Sequence, residues 1–277
     1  SEPNYMDGLA IANFSGSGSY SGSYSGSGNG ISVSGPLASV GVITNSGTIT
    51  SESGGDAILI ENGATTGTIS NLAGGEINGA IAITSGAQVN GSIINAGNLS
   101  GGPFNGSAII VEDGGQVTES IINSASINTV KILHGSVGNL DNSGGISMGV
   151  AIMNFSSDGF QESSVEAPIN SSLGSLTNSG NIGEVFVADG AEITGELENN
   201  NFIGVVDVYN DASIGSISNS GVISGGINFE GNAQLKGNLT NSASGQIDGV
   251  AFVEGSSFTG DIINEGAIFD GFTDGYG

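Results

Sequence analysis

Aliphatic residues in this chain fall in short runs that alternate with small or polar ones, and each run stops at Gly, Asn, Ser or Asp. AILIENG at 57–63, AIAITSG at 80–86, AIIVEDG at 108–114, EVFVADG at 184–190 and VAFVEG at 250–255 are of one kind. Alternation with a period of two predicts β-strands. It points Ile58 and Ile60, Ile81 and Ile83, Ile109 and Val111, Val185 and Val187, and Val206 and Val208 to one side. In the 129–135 run it turns Val130 and Ile132 inward and Lys131 outward, so no cation is buried. A second kind of run, GAQVNGSI at 86–93 and GAEITGEL at 190–197, follows the first. No stretch keeps a helical period or a helix-forming composition.

Between these runs recurs a third pattern: aliphatic-x-Asn, small residues with Gly, then aliphatic. It reads VITNSGTI at 42–49, SIINAGNL at 92–99, SLTNSGNI at 175–182, SISNSGVI at 216–223 and DIINEGAI at 261–268. Its asparagines are Asn45, Asn71, Asn95, Asn123, Asn142, Asn178, Asn199, Asn219, Asn241 and Asn264, on average about 24 residues apart. A strand of three to five residues has too small an apolar face to stand alone. One repeat per coil, each strand lying parallel on its copy about 4.8 Å away, buries those faces in a continuous core. The repeat therefore predicts an all-β, single-chain parallel β-helix (β-solenoid) over 1–277, of about 10–11 coils of ~24 residues with three short strands each. The landmark Asn residues are expected to form a stacked amide ladder and to take left-handed backbone angles at tight corners.

Two segments break the spacing. GLAIANFSGSG at 8–18 matches GVAIMNFSSDG at 149–159, and long insertions follow both. The Gly/Ser/Tyr-rich segment 15–30 has linker composition and is expected to leave the coil as a loop, as is 155–172. The C-terminal stretch 265–277 is aromatic and acidic.

Composition narrows the chemistry. Asp plus Glu number 27 against two Lys, with no Arg, Trp or Cys and one His, for a net charge of −25. Two lysines are too few to displace phosphate counterions, which excludes nucleic acid, and an anionic membrane would repel the chain. Arg clamps, thiolate chemistry, disulfides and Cys-ligated zinc are excluded by residue type. A hydrophobic content of 37% and a mean hydropathy of +0.14 argue against disorder. No run approaches the ~18 apolar residues of a membrane helix.

The tandem units typified by VITNSGTI and SISNSGVI, with Gly/Asn/Ser richness and no Cys, resemble the β-helical passenger regions of bacterial autotransporters and related surface adhesins over about 31–270. The resemblance implies a secreted or cell-surface protein of a Gram-negative bacterium. It implies no single function, because passengers include adhesins, proteases and structural fibres, and no catalytic motif of the family maps onto the chain.

Three chemistries were weighed on the residues. Gly145-Ile-Ser147-Met-Gly149 matches the nucleophile-elbow pattern but needs a strand-to-helix turn and a His partner; the one His, His134, is expected at a solvated corner. The carboxylates Glu112/Asp113, Asp189/Glu192/Glu196/Glu198 and Asp207/Asp211 offer pairs for glycosidase chemistry, without the cationic help that acidic sugars call for. Acidic corners, including the turn at Asp270 and Asp274, suit Ca2+ by ligand type, though no calcium-loop motif occurs. The acids also keep a strand-rich surface soluble.

The leading expectation is a non-enzymatic structural subunit of an extracellular fibre, a homo-oligomer joined head-to-tail through open coil ends. Aromatics enriched at the two ends mark the candidate assembly interface: Tyr5, Phe14, Tyr20 and Tyr24 at one, Phe258, Phe269, Phe272 and Tyr276 at the other. The alternative is a monomeric adhesin that binds a host cell or glycan through its lateral loops. A polysaccharide-active enzyme ranks third.

Overall fold

The computed structural model describes residues 9–12, 19–20, 24–27, 30–52, 55–102, 106–154, 170–270 and 272–274, with backbone alone for 9–12, 19–20, 24–27, 52 and 272–274. All elements among them are β-strands, and they pair in parallel as a β-solenoid with three short strands per coil. The chain divides into two compact units, 1–131 with 135–137 and 132–134 with 138–277.

In the first unit each coil contributes one strand to each of three sheets. Leu9–Ala12, Ile31–Ser34, Ile58–Glu61, Ile81–Ile83 and Ile109–Glu112 stack on the first face. Ser19–Tyr20, Ser39–Asn45, Thr65–Asn71 and Gln116–Asn123 belong to the second, as do Gln88–Val89 and Ile93–Asn95. Tyr24–Ser27, Thr48–Glu52, Glu76–Asn78 and Asn98–Leu99 form the third. Like sits over like: Ile31, Ile58, Ile81 and Ile109 are register partners, as are Ile43, Ile69, Ile93 and Ile121, and all are buried. Removing each such side chain from water contributes about 1.5–3 kcal/mol.

The second unit keeps the plan with one variation. The third-face and first-face segments join into single strands, Asn181–Ala188 and Phe202–Tyr209, whose ladder skips Gly183 and Gly204. A Cβ on Gly204 would run into the Gly183 carbonyl, so the bend requires Gly for close backbone approach. One coil after Phe202–Tyr209 the segments are separate again, as Val222–Ile223 and Ile227–Glu230, in the same register. Inside run Val150, Val185, Val206, Ile227 and Val250 on one face and Leu176, Leu197, Ile217 and Leu239 on another.

Among the described residues, most corners after a first-face strand turn left-handed. Asn62–Gly63, Ser85–Gly86, Asp113–Gly114, Asp189–Gly190, Asn210–Asp211, Gly231–Asn232 and Glu254–Gly255 all have positive φ at both residues. Asn, Asp and Gly tolerate that conformation best. A buried Ala closes several of these turns: Ala64, Ala87, Ala191 and Ala212 each donate their N–H to the carbonyl three residues back.

Two expectations are corrected here. The landmark asparagines have no positive φ; they end the second-face strands, and the left-handed role falls to the preceding corner, between the first- and second-face strands. The segment 15–30 is not wholly a loop. Ser19–Tyr20 and Tyr24–Ser27 are strands, with Tyr20 in register with Ile43 and Tyr24 with Ile49. Lys131 is half-exposed between the buried Val130 and Ile132, as alternation predicts.

Buried hydroxyls break the pattern at Thr66, Ser107 and Thr129. Thr66 lies in register between Val40 and Val89, is 1% exposed, and its Oγ1 finds no hydrogen-bond partner. A buried hydroxyl without a partner costs about 1–3 kcal/mol, and an apolar group of the same shape removes that cost. Thr66→Val is therefore expected to raise stability by about 1 kcal/mol in urea unfolding.

Candidate functional site: the asparagine column and the open last coil

Within each unit the side chains of the landmark asparagines form a bonded column. In the first, Asn45 Nδ2 donates to Asn71 Oδ1 at 2.9 Å, Asn71 to Asn95 at 2.9 Å and Asn95 to Asn123 at 3.0 Å. In the second, Asn142 donates to Asn178, Asn178 to Asn199, Asn199 to Asn219, Asn219 to Asn241 and Asn241 to Asn264, all at 2.8–2.9 Å. All but Asn264 are buried, none more than 2% exposed.

The remaining polar valences of each amide go to the adjacent corner. Asn178 Nδ2 also donates to the carbonyls of Phe202 at 2.9 Å and Gly180 at 3.1 Å, while its Oδ1 accepts from Gly180 N at 3.3 Å. Asn199 repeats this with Val222 O, Asn201 O and Asn201 N, and Asn45 with Glu76 O, Gly47 O and Gly47 N. Carbonyls on the nitrogen side and an N–H on the oxygen side fix the amide orientation. Each column therefore runs one way, with donors facing the following coil. Aligned amides in a dry interior polarise one another.

The second column ends in the open. Asn264 is exposed, and its Nδ2 finds no acceptor among the described residues. The other inward positions of that coil share its state. Phe258, Ile262 and Ile268 are exposed or half-exposed, although their register partners Leu235, Leu239 and Ile247 are at most 1% exposed. An aromatic column leads there: Phe229 stacks on Phe252 at 4.7 Å, and Phe252 touches Phe258 at 5.3 Å.

The predicted interface residues divide accordingly. Phe258 is 37% and Phe269 65% exposed at the last coil, and Phe272 lies in the final strand, in register with Val250. Tyr20 and Tyr24 are in the first coil. Tyr5, Phe14 and Tyr276 lie outside the described residues. Sequence reasoning did not mark Ile262 and Ile268.

Residues 155–169 of the second excursion also lie outside the described residues, but its base is defined. Ser171 is fully buried; its N donates to Asn154 Oδ1 at 2.6 Å, and its Oγ donates to Met153 O at 2.6 Å while accepting from His134 N at 2.5 Å. Asn154 Nδ2 reaches Asp189 O at 2.9 Å. The insertion is thus tied off by two polar side chains at a corner.

The chemical candidates are dispersed. Ser147 lies within the strand Gly145–Met153, which is not the strand-to-helix turn of a nucleophile elbow. His134 is half-buried with a left-handed backbone. Asp113, Asp189 and Asp211 occupy left-handed corners. Glu192 pairs with Lys236 at 3.1 Å on the surface, and Glu198 accepts from Asn200 at 2.9 Å. No group of three or more His, Cys, Asp or Glu is placed to hold a metal ion among the described residues.

Glu184, Asp207 and Glu230 do gather around Tyr209, whose hydroxyl pKa is raised by burial and by the charges of Asp207, Glu230 and Glu184. Phe186 packs on the Tyr209 ring at 5.7 Å. Burial, with Asp207 beside it, holds the Glu184 carboxyl above its ordinary value. Comparison with protein-family models, curated proteins and solved structures gives no match.

Two predictions follow from these contacts. Asn199→Ala leaves Asn178 without its acceptor and Asn219 without its donor, and should destabilise the protein by about 2–4 kcal/mol in urea unfolding. Hydrogen exchange should accelerate most in the coils on either side. The folded chain also holds the Glu184 proton more tightly than the unfolded chain, so this group's contribution to stability falls as pH rises from the ordinary value through the raised one. Glu184→Gln should raise the melting temperature at pH 7, and the gain should shrink towards zero below pH 4.5, the ordinary value.

Proposed function

We propose that the protein is a non-enzymatic structural subunit of an extracellular or cell-surface fibre, and that copies join head-to-tail through their open coil ends. The observation that carries this reading is the last coil. Phe258, Ile262, Asn264 and Ile268 hold core positions in register with fully buried residues, yet they face solvent. Exposed apolar core beside unpaired strand edges favours association. Contact between unlike ends is heterologous and propagates as an open filament. The acidic surface supports the same reading, since like charge keeps the flanks apart while the ends remain available.

A second reading, an adhesin that contacts a cell or glycan through its lateral insertions, is favoured by one observation: the Asn154–Ser171 tie fixes the base of the 155–169 insertion on the solenoid. Replacing that insertion with a two-residue corner separates the two readings. Loss of cell or glycan binding with assembly intact supports the adhesin.

Electron micrographs of the purified protein and sedimentation velocity over a concentration series test the fibre reading. Filaments that lengthen with concentration are expected. A single monomeric species at the highest concentration overturns it.

A further inference from the structure

We propose that the outer surface of the first face in the second unit is a binding face for an extended organic polycation, an aliphatic chain that carries ammonium groups at intervals.

The face is built on Asn181–Ala188, Phe202–Tyr209 and Ile227–Glu230, each of them paired with a strand on both sides. Alternation buries Val185, Val187, Val206, Val208, Ile227 and Phe229 and turns the residues between them outward. Glu184, Phe186, Asp207, Tyr209, Asn228 and Glu230 are all half-exposed there. In register, Phe186 lies beside Asp207, Asp207 beside Asn228, Tyr209 beside Glu230, and Glu184 beside Val205. Two parallel diagonals result. Glu184, Asp207 and Glu230 are each one strand over and two residues on from the last, about 8 Å apart along the backbone by strand spacing and rise. Phe186 and Tyr209 take the same step alongside them, with ring centroids 5.7 Å apart. Asn228, whose Nδ2 donates to Asp207 Oδ1 at 2.8 Å, also lines a cleft of about 200 Å3 with Gly226, Asp248, Gly249 and Ala251.

A row of carboxylates beside a row of rings selects its ligand by charge and by shape. Like charges on neighbouring strands destabilise a sheet. Burial and this repulsion hold the Glu184 carboxyl and the Tyr209 hydroxyl above their ordinary values. No base of the second unit's strands answers them: residues 138–277 contain one, Lys236, and it pairs with Glu192 at 3.1 Å between second-face strands. The carboxylates are too dispersed to share a metal ion, and among the described residues no three acids are placed to hold one. An anionic ligand is repelled. An aliphatic polyamine meets every feature. Its ammonium groups donate charge-assisted hydrogen bonds to the carboxylates and gain cation–π attraction over the rings, while its methylenes cover ring surface from water. A compact inorganic cation makes no use of the rings, and a neutral chain makes none of the charge.

Titration calorimetry with spermine tests this at physiological ionic strength, where charges beyond about 8 Å are screened. The unaltered protein is expected to show one saturable site. Asp207→Asn and Phe186→Ala should each weaken it about tenfold, with far-ultraviolet circular dichroism unchanged. Phe186→Ala alters no charge, so its loss of affinity separates this face from general attraction to an acidic protein. Phe186→Leu, which keeps the apolar bulk, carries the same expectation should the alanine variant unfold. Glu198→Gln removes a carboxylate from the second face and should leave the affinity unchanged. Equal, weak binding by all of these proteins overturns the proposal, as does displacement of spermine by magnesium ion at matched charge. Binding of cellohexaose in place of spermine makes the face a platform for neutral sugar and overturns it too. None of these outcomes depends on assembly, so the fibre reading and this one fail separately.

Discussion

A buried side-chain amide is tolerated in an apolar interior only when its donors and acceptor are all met. In this chain the partner that meets them is the same residue one coil away. Asn178 sits between Asn142 and Asn199, and its remaining valences close the corner at Gly180 and Phe202. Aliphatic stacking alone would supply most of the stabilisation but little discrimination, since an Ile packs nearly as well over one neighbour as over another. The amide adds direction and register. A slip of one residue between coils would turn the amide outward together with every inward aliphatic side chain.

That constraint acts on faces and leaves corners free. Successive landmark asparagines are 19 to 28 apart except where Asn142 and Asn178 are separated by 36. The additional length lies in the insertion after Asn154, while the strands on either side of it hold register, Val150 with Val185 and Leu176 with Leu197. Ser171 and Asn154 make this workable. They satisfy the backbone where the chain departs and returns, so the loop costs little beyond its closure entropy, which grows slowly with length.

What the sequence disclosed follows the same division. The solenoid, the ten ladder residues and the inward aliphatic side chains were legible because each is a repeated choice among few residue types. The left-handed corners were misplaced by one. Asn favours both buried amide bonding and positive φ, and nothing local separates the two; the double-positive corners at Asp113–Gly114 and Asn210–Asp211 show where the second property is used. Thr66 gave no signal, because Thr and Val share one shape and one strand preference. The 15–30 segment was read by its Gly and Ser content, yet small residues serve a tight coil as well as a linker, and its register is carried by Tyr20 and Tyr24 alone. The Ser171 tie depends on residues far apart in sequence and had no local mark.

Ends are where a repeated solution fails. Each interior coil satisfies its strands, core and amide through its neighbours, so stability grows by nearest-neighbour increments while the deficit at an end stays constant. A chain can answer that deficit with a polar cap or with another copy of itself. The last described coil places Phe258, Ile262 and Ile268 at core register and leaves the amide column with its donors outward at Asn264.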